Sequence, residues 1–377
     1  MENNLVILQA KDLQKILDNL KHTGYQTLAP TIKENTIVYD EISKIEQLPI
    51  GFIDEQEGGF YRLEKHSKPS FFSYTVGANS WKKYLHPPKV KLWQIRRKNK
   101  AMEFIKEESQ PSKFAFIGVR ACELTAISIQ DRVFLKDKFV DPIYAERRND
   151  VFIIAVNCAR AVKTCFCVSM DSGPKAKSGF DLALTEVIEK NKHFFLVEIG
   201  TEKGKKILEN IPQKVAKSQE KKLAESIVEK TAQNMGRTLD RENIKEILYR
   251  NYESLSWDEV ASRCLSCANC TMVCPTCFCT TVEDTTDLTG DIAERWRRWD
   301  SCFTGDFSYI HGGSVRDSTK SRYRQWLVHK LAAWIDQFDS SGCVGCGRCI
   351  TWCPVGIDIT EQSAIIRKED SLRKVTL

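Results

Sequence analysis

Cys264-Leu265-Ser266-Cys267-Ala268-Asn269-Cys270-Thr271-Met272-Val273-Cys274-Pro275 and Cys343-Val344-Gly345-Cys346-Gly347-Arg348-Cys349-Ile350-Thr351-Trp352-Cys353-Pro354 are two copies of one pattern, C-x2-C-x2-C-x3-C-P. Three thiolates three residues apart line a tight loop and cap three irons of a cubane [4Fe–4S] cluster. The fourth, followed by proline, serves the other cluster of a pair. The spacing therefore assigns Cys264, Cys267, Cys270 and Cys353 to one [4Fe–4S] cluster, and Cys343, Cys346, Cys349 and Cys274 to a second. Structural zinc usually takes two separated C-x2-C pairs and has no use for the extra evenly spaced cysteine. A disulfide framework belongs to oxidising compartments and mostly to small secreted chains. Residues 1–20 carry scattered charges and no apolar signal core.

The two motifs are separated by 68 residues, Cys274 to Cys343, a gap much longer than in compact bacterial ferredoxins. Tyr323–Phe338 reads as an amphipathic helix with Trp326, Leu327, Leu331 and Trp334 on one face and Gly342 as a stop. A long helical insert between the motifs is the layout of an α-helical ferredoxin-type domain. Arg263 and Arg348 stand beside or inside the cysteine loops, where a positive charge would favour the reduced cluster or anchor a carboxylate.

The chain of 377 residues has room for two or three domains and carries a net charge of +6, too small for its length to indicate nucleic acid. No apolar run is long enough to span a bilayer, and with no leader the expected location is cytoplasmic. Lys11–Leu20 reads as an amphipathic helix. Phe114–Val119 and Val151–Val156 read as buried strands with a helix, Glu123–Phe134, between them. Asp181–Glu189 reads as helix and Phe194–Ile199 as strand. The basic run Lys203–Lys230 reads as a solvated helix, and the chain from Ser256 onward as mostly helical. The expected class is α+β: an N-terminal α/β domain over 1–200, a charged helical connector over 201–255, and a helical dicluster domain over 256–377.

Cys122 and Cys158 each follow one of the two buried strands, and Cys165 and Cys167 come one loop later. If those strands are neighbours, all four thiols emerge at one sheet edge and form a third [4Fe–4S] site; otherwise they are buried reduced cysteines. Thr276-Cys277-Phe278-Cys279 echoes Thr164-Cys165-Phe166-Cys167. Cys277, Cys279 and Cys302 lack a fourth partner unless His311 or another cysteine joins them, and they are assigned no metal. The tryptophans Trp296, Trp299, Trp326, Trp334 and Trp352 read as packing. Arg295, Arg297, Arg298, Arg316, Arg322 and Arg324 read either as a docking face for an acidic partner or as a solvated face.

No G-x-G-x-x-G follows a strand, and there is no P-loop, nucleophile elbow or zincin motif. With cubanes fully ligated by cysteine and no site of bond-making chemistry, the chain has no catalytic residue of its own and reads as an electron carrier. A nucleic-acid enzyme with structural clusters would need a basic groove with catalytic carboxylates, which the sequence lacks.

The stretches Ser341–Cys349 with Trp352–Ile359, Cys274–Cys279, Arg298–Cys302, Arg322–Trp326, Gly118–Cys122, Asp141–Tyr144 with Arg147-Arg148, Cys165–Cys167 and Gly179–Leu184 resemble the iron–sulfur β subunits of soluble [NiFe] hydrogenases, the sulfhydrogenases. They are similar too to the corresponding iron–sulfur component of anaerobic sulfite reductase. The resemblance covers roughly residues 110–360. It implies a complex in which a flavin subunit exchanges hydride with NAD(P)H and this subunit relays single electrons. The small and large [NiFe] subunits, or a sirohaem subunit, receive them. Neither flavin nor nickel is expected in this chain.

Overall fold

A computed structural model describes residues 4–98, 101–106, 113–136, 139–189 and 192–375. Its largest element is an eight-stranded mixed sheet. In spatial order it runs Gln213–Val215, Leu5–Gln9, Lys192–Ile199, Leu182–Glu189, Phe152–Val156, Phe114–Val119, Gln26–Lys33 and Thr36–Glu41. The central strands Phe114–Val119 and Phe152–Val156 are buried at every residue and pair in parallel. Strands covered on both faces read as unbroken apolar runs, which is why these two are visible in the sequence. Parallel neighbours end at the same edge, so the chain after each emerges side by side. Helix Ala121–Leu135 begins there, with the Glu123 carboxylate accepting the backbone N–H of Arg120 at 3.2 Å.

Leu182–Glu189 is a strand rather than the expected helix, and forms an antiparallel hairpin with Lys192–Ile199. Glu186 misleads the pattern. It is buried because its carboxylate accepts the backbone N–H groups of Phe71 and Phe72 and meets His193 at 2.7 Å. The basic run is also not one helix. It divides into Glu202–Leu208, the edge strand Gln213–Val215 and Ser218–Gln233, whose Ala224 packs beneath the sheet with Ile7 and Val187. The N-terminal helix forms over Leu13–His22.

The region after Ser256 is not mostly helical. Thr280–Thr286 and Ile292–Trp299 form a hairpin that joins Lys89–Lys98 and Ala101–Lys106 in a four-stranded antiparallel sheet. Arg295 pairs with Asp284 directly opposite, at 2.6 Å. Arg298 pairs with Glu283, Arg297 with Asp141 and Arg324 with Glu253, while Arg322 donates to the Phe303 carbonyl. These five arginines are occupied within the chain, so the docking-face reading of them does not stand. The helix expected over Tyr323–Phe338 is present as Thr319–Val328, a π-helical turn His329–Ala333, and Trp334–Phe338.

The hairpin Phe52–Lys65 from the N-terminal half is clamped onto the second cysteine motif. The Gly59 N–H donates to the Ile350 carbonyl at 3.1 Å, Thr351 donates to Gln56 at 2.8 Å, and Tyr61 stacks on Trp352. Arg237 bridges Glu57 and Asp358 at 2.6 and 2.8 Å.

Candidate metal centre

Both cysteine loops adopt the same unusual backbone. The second residue after each leading cysteine, Ser266 and Gly345, is left-handed, and so is the fourth, Ala268 and Gly347. This turn aims successive N–H groups inward. Ser266 N–H donates to Cys264 Sγ at 3.4 Å and Gly345 N–H to Cys343 Sγ at 3.4 Å; Ile357 N–H donates to Cys353 Sγ at 3.3 Å. A left-handed Ser or Ala costs about 1–2 kcal/mol each, so the first loop tolerates strain that the second avoids. In the second loop glycine is required by packing as well. A Cβ on Gly345 would lie 2.6 Å from the Phe166 backbone, and one on Gly347 2.4 Å from the Thr164 carbonyl. The second loop thus lies flat against the Thr164–Cys167 loop, joined to it by the Phe166 N–H to Gly345 carbonyl bond at 2.9 Å.

The thiols fall into groups. Cys264, Cys267, Cys270 and Cys353 line one cavity, with Phe303, Tyr323 and Trp326 as its apolar wall and Cys349 at its margin. Burial pushes the Cys270 thiol far up, and neighbouring Cys264, Cys353, Cys267 and Cys274 push it further. Cys343, Cys346, Cys349 and Cys274 form the next group. Burial raises Cys343 to about 12 despite the opposing charge of Lys330, and it raises Cys349 with help from Cys343, Cys346 and Cys274. Cys122, Cys158, Cys165 and Cys167 line a third cavity, which Cys346 also borders. All four lie where the two parallel strands end, as expected of neighbouring strands. Burial raises Cys122, then Cys346 and Cys167; Cys165 goes to about 12 by burial and the nearby sulfurs Cys158 and Cys346. Cys122 sits in the first turn of a 15-residue helix, whose positive end favours a thiolate.

Crowded buried thiols that raise one another are a poor setting for free anions and a suitable one for a cationic iron–sulfur core held by thiolates. Among the described residues, no three Cys, His, Asp or Glu side chains converge as a single metal ion requires. The sulfurs surround gaps instead, which fits a cluster better than zinc. The donor sets therefore fit [4Fe–4S] groups. The sets also adjoin one another: Cys349 borders the first cavity and Cys346 the third, and both belong to the middle set.

Sequence reading placed Arg263 and Arg348 near the loops without deciding their roles. Arg263 is a surface residue paired with Glu259 at 3.1 Å. Arg348 is fully buried and donates to Glu123 at 2.5 Å, to the Gly77 carbonyl at 2.9 Å and to the Asn79 carbonyl at 2.9 Å. Its remaining Nη1 has no protein partner among the described residues. The same guanidinium opposes the rise that burial imposes on Cys346. Glu123 itself adjoins Cys122 and also accepts from Tyr39 at 2.7 Å and Trp81 at 3.1 Å.

Lys330 was missed. It is 4 % exposed, and its ammonium donates to Cys274 Sγ at 3.3 Å, Cys277 Sγ at 3.4 Å and the Gly342 carbonyl at 3.1 Å. The signal was present: Trp326, Lys330 and Trp334 form one i, i+4, i+8 row, so a lysine interrupts an apolar stripe. His311 is exposed in the turn between Tyr309–Ile310 and Gly313–Ser314. His329 meets Gln337 at 3.4 Å.

Residues 263–357 match the 4Fe-4S dicluster domain family. Over 357 residues, 94% of this chain and 95% of the relative, the sequence is 29% identical to sulfhydrogenase 2 subunit beta of Pyrococcus furiosus. No solved structure matches significantly. The resemblance to the hydrogenase iron–sulfur β subunits is borne out over more of the chain than the motifs alone covered. No helix among the described residues is long and apolar enough to cross a membrane.

Proposed function

We propose that this chain, a homologue of the sulfhydrogenase β subunit that carries a 4Fe-4S dicluster domain, is the electron-transfer subunit of a multisubunit cytoplasmic [NiFe] hydrogenase. In this reading it sits between a flavin subunit that handles NAD(P)H and the hydrogenase small subunit. The observation that carries it is the row of three thiol sets, with Cys349 and Cys346 as the joints. The near-full-length relative is a hydrogenase subunit, which favours this reading over a sulfite reductase complex.

The ligand sets are Cys264, Cys267, Cys270 and Cys353; Cys343, Cys346, Cys349 and Cys274; and Cys122, Cys158, Cys165 and Cys167. The cluster part, 256–377, is an α-helical ferredoxin-type domain joined through 201–255 to an α/β domain over 1–200. Short helices Asn269–Met272 and Arg348–Thr351 after each loop support that reading. Bound clusters supply one-electron storage at potentials set by their surroundings. The chain's own residues set those surroundings. The N–H groups of Ser266, Gly345 and Ile357 favour negative charge on sulfur, as do the buried cations Lys330 and Arg348. Phe303, Tyr323 and Trp326 keep water from the first cavity.

The test is the Cys346→Ser variant within the purified complex. It is expected to lose or convert one cluster and to lower electron flow from NAD(P)H to the catalytic centre at least tenfold. The catalytic subunit should keep its activity with artificial dyes. Unchanged iron content together with unchanged coupled activity would overturn the assignment.

A further inference from the structure

Cys277, Cys279 and Cys302 belong to none of the three sets, yet the fold gathers them. In an extended segment, residues i and i+2 share a side. Phe278, between the two cysteines, packs away from them against Phe134, Trp334 and Phe338. The segment Thr164–Cys167 is built the same way: Phe166 is fully buried, and Cys165 and Cys167 both face the third cavity. The threonine that opens each segment is also fully buried and tied to the second cysteine motif. Thr164 meets Thr351 at 2.9 Å, and Thr276 donates to the Gly342 carbonyl at 2.6 Å. One loop design thus appears twice, and in its first copy it faces a four-thiol cavity.

In the second copy a strand pair delivers the third sulfur. Thr280 stands opposite Trp299, and the Asp300 N–H donates to the Cys279 carbonyl at 2.8 Å. Cys302 is thereby set against Cys279, and both its thiol and its backbone N–H engage the Cys279 sulfur. Cys277 in turn lies against Cys274.

Two buried ammoniums accompany these sulfurs. Lys330 contacts Cys277 Sγ directly, and Lys82, 3 % exposed, donates to the Cys277 carbonyl at 3.0 Å and lies 3.8 Å over the Trp299 ring. Among the described residues, the hydrogen bonds of both end on sulfur, hydroxyl or carbonyl groups, and none ends on a carboxylate. A buried ammonium costs several kcal/mol unless a negative charge offsets it. The Cys274 set accounts for Lys330. Lys82 lies instead against the Cys277 segment, where protonated thiols would leave it uncompensated. A thiolate-held cluster, net negative, supplies the missing charge.

We propose that Cys277, Cys279 and Cys302 hold a further iron–sulfur cluster through three of its irons, beside the set that contains Cys274. The site lies between the two ferredoxin-type sets, because Cys302 is also close to Cys270.

The test uses the full chain purified anaerobically. Iron is counted per chain in the wild type and in the variant Cys277→Ser/Cys279→Ser/Cys302→Ser, with electron paramagnetic resonance of both. The native wild type is also treated anaerobically with iodoacetamide and the labelled cysteines are mapped. The variant is expected to lose three irons (a three-iron cluster) or four (a four-iron cluster with one iron not held by this trio), and to lose one cluster signal. All three cysteines should resist alkylation while iron is bound. Equal iron in both proteins, or zinc bound at the trio instead, would overturn the proposal. Should the variant not fold or shed every cluster, the wild-type mapping decides. Each of the three is partly exposed, and Cys279 is drawn down to about 7 by the Cys302 thiol, so a free trio would be alkylated at Cys279 first. That labelling in iron-replete protein also overturns the proposal. Neither readout depends on coupled activity, so this result stands apart from the chain's role in a hydrogenase complex.

Discussion

Replacing Glu123 with alanine should cost about 3–5 kcal/mol of stability and loosen two thiol sets at once. The pair it forms with Arg348 is among the most enclosed in the chain, with side-chain exposures of 1 % and 0 %. Without Glu123, the guanidinium keeps only the neutral carbonyls of Gly77 and Asn79, leaving a buried charge uncompensated. Tyr39, Trp81 and the Arg120 N–H lose their acceptor too. Such losses do not simply add, so the buried-charge figure is the better guide. Arg348→Met should cost less, because three donors still hold the Glu123 carboxylate. The double variant Glu123→Leu/Arg348→Met should cost less than the sum of the two singles by about 2 kcal/mol or more. Anaerobic urea titration followed by tryptophan emission measures the cycle. Because Glu123 adjoins Cys122 and Arg348 lies within the Cys346–Cys349 loop, iron should also leave the Glu123→Ala protein faster in the presence of a chelator. A loss below about 1 kcal/mol, or a cycle additive to within about 0.5 kcal/mol, would refute the claim that this pair locks the two halves together.

Lys330→Met removes a positive charge 3.3 Å from Cys274 Sγ. Over about 6 Å at an effective dielectric near 20 that charge is worth about 2–3 kcal/mol, so one reduction potential should fall by roughly 100 mV; a redox titration that finds every potential unmoved rejects the role. His86 is held down to about 3 by burial, with the charges of Arg297 and Lys82 adding to it. Its unfolded value is about 6.5, so the unfolded state binds the extra proton. The stability His86 contributes is present above pH 6.5 and is lost as pH falls towards 3, about 1.4 kcal/mol of it by pH 5.5. The unfolding midpoint between pH 7.5 and 5.5 should drop more in wild type than in His86→Gln, and parallel pH profiles would contradict this.

How much of this was legible depends on what kind of contact makes each element. The strands Phe114–Val119 and Phe152–Val156 are covered on both faces, so burial alone wrote them into the sequence, and the emergence of Cys122 and Cys158 at one edge followed from their being parallel. The hairpin Thr280–Trp299 is held by cross-strand pairs such as Asp284 with Arg295, and by a strand nearly two hundred residues earlier. Neither leaves an apolar alternation, so its polar residues read as helix surface. The site shows the opposite pattern. Its positions are those where a local rule is broken: left-handed Ser266 and Ala268 in the first loop, a glutamate beside Cys122 in the first turn of a buried helix, and a lysine between Trp326 and Trp334. Each departure costs stability on its own and is offset only by a partner across the site. Lys330 shows this most plainly. An ammonium in an apolar row is unfavourable until sulfur surrounds it, and the sulfurs it touches include one from the trio that the cysteine spacing left unassigned. A misplaced charge therefore pointed to thiols that the motifs did not reach.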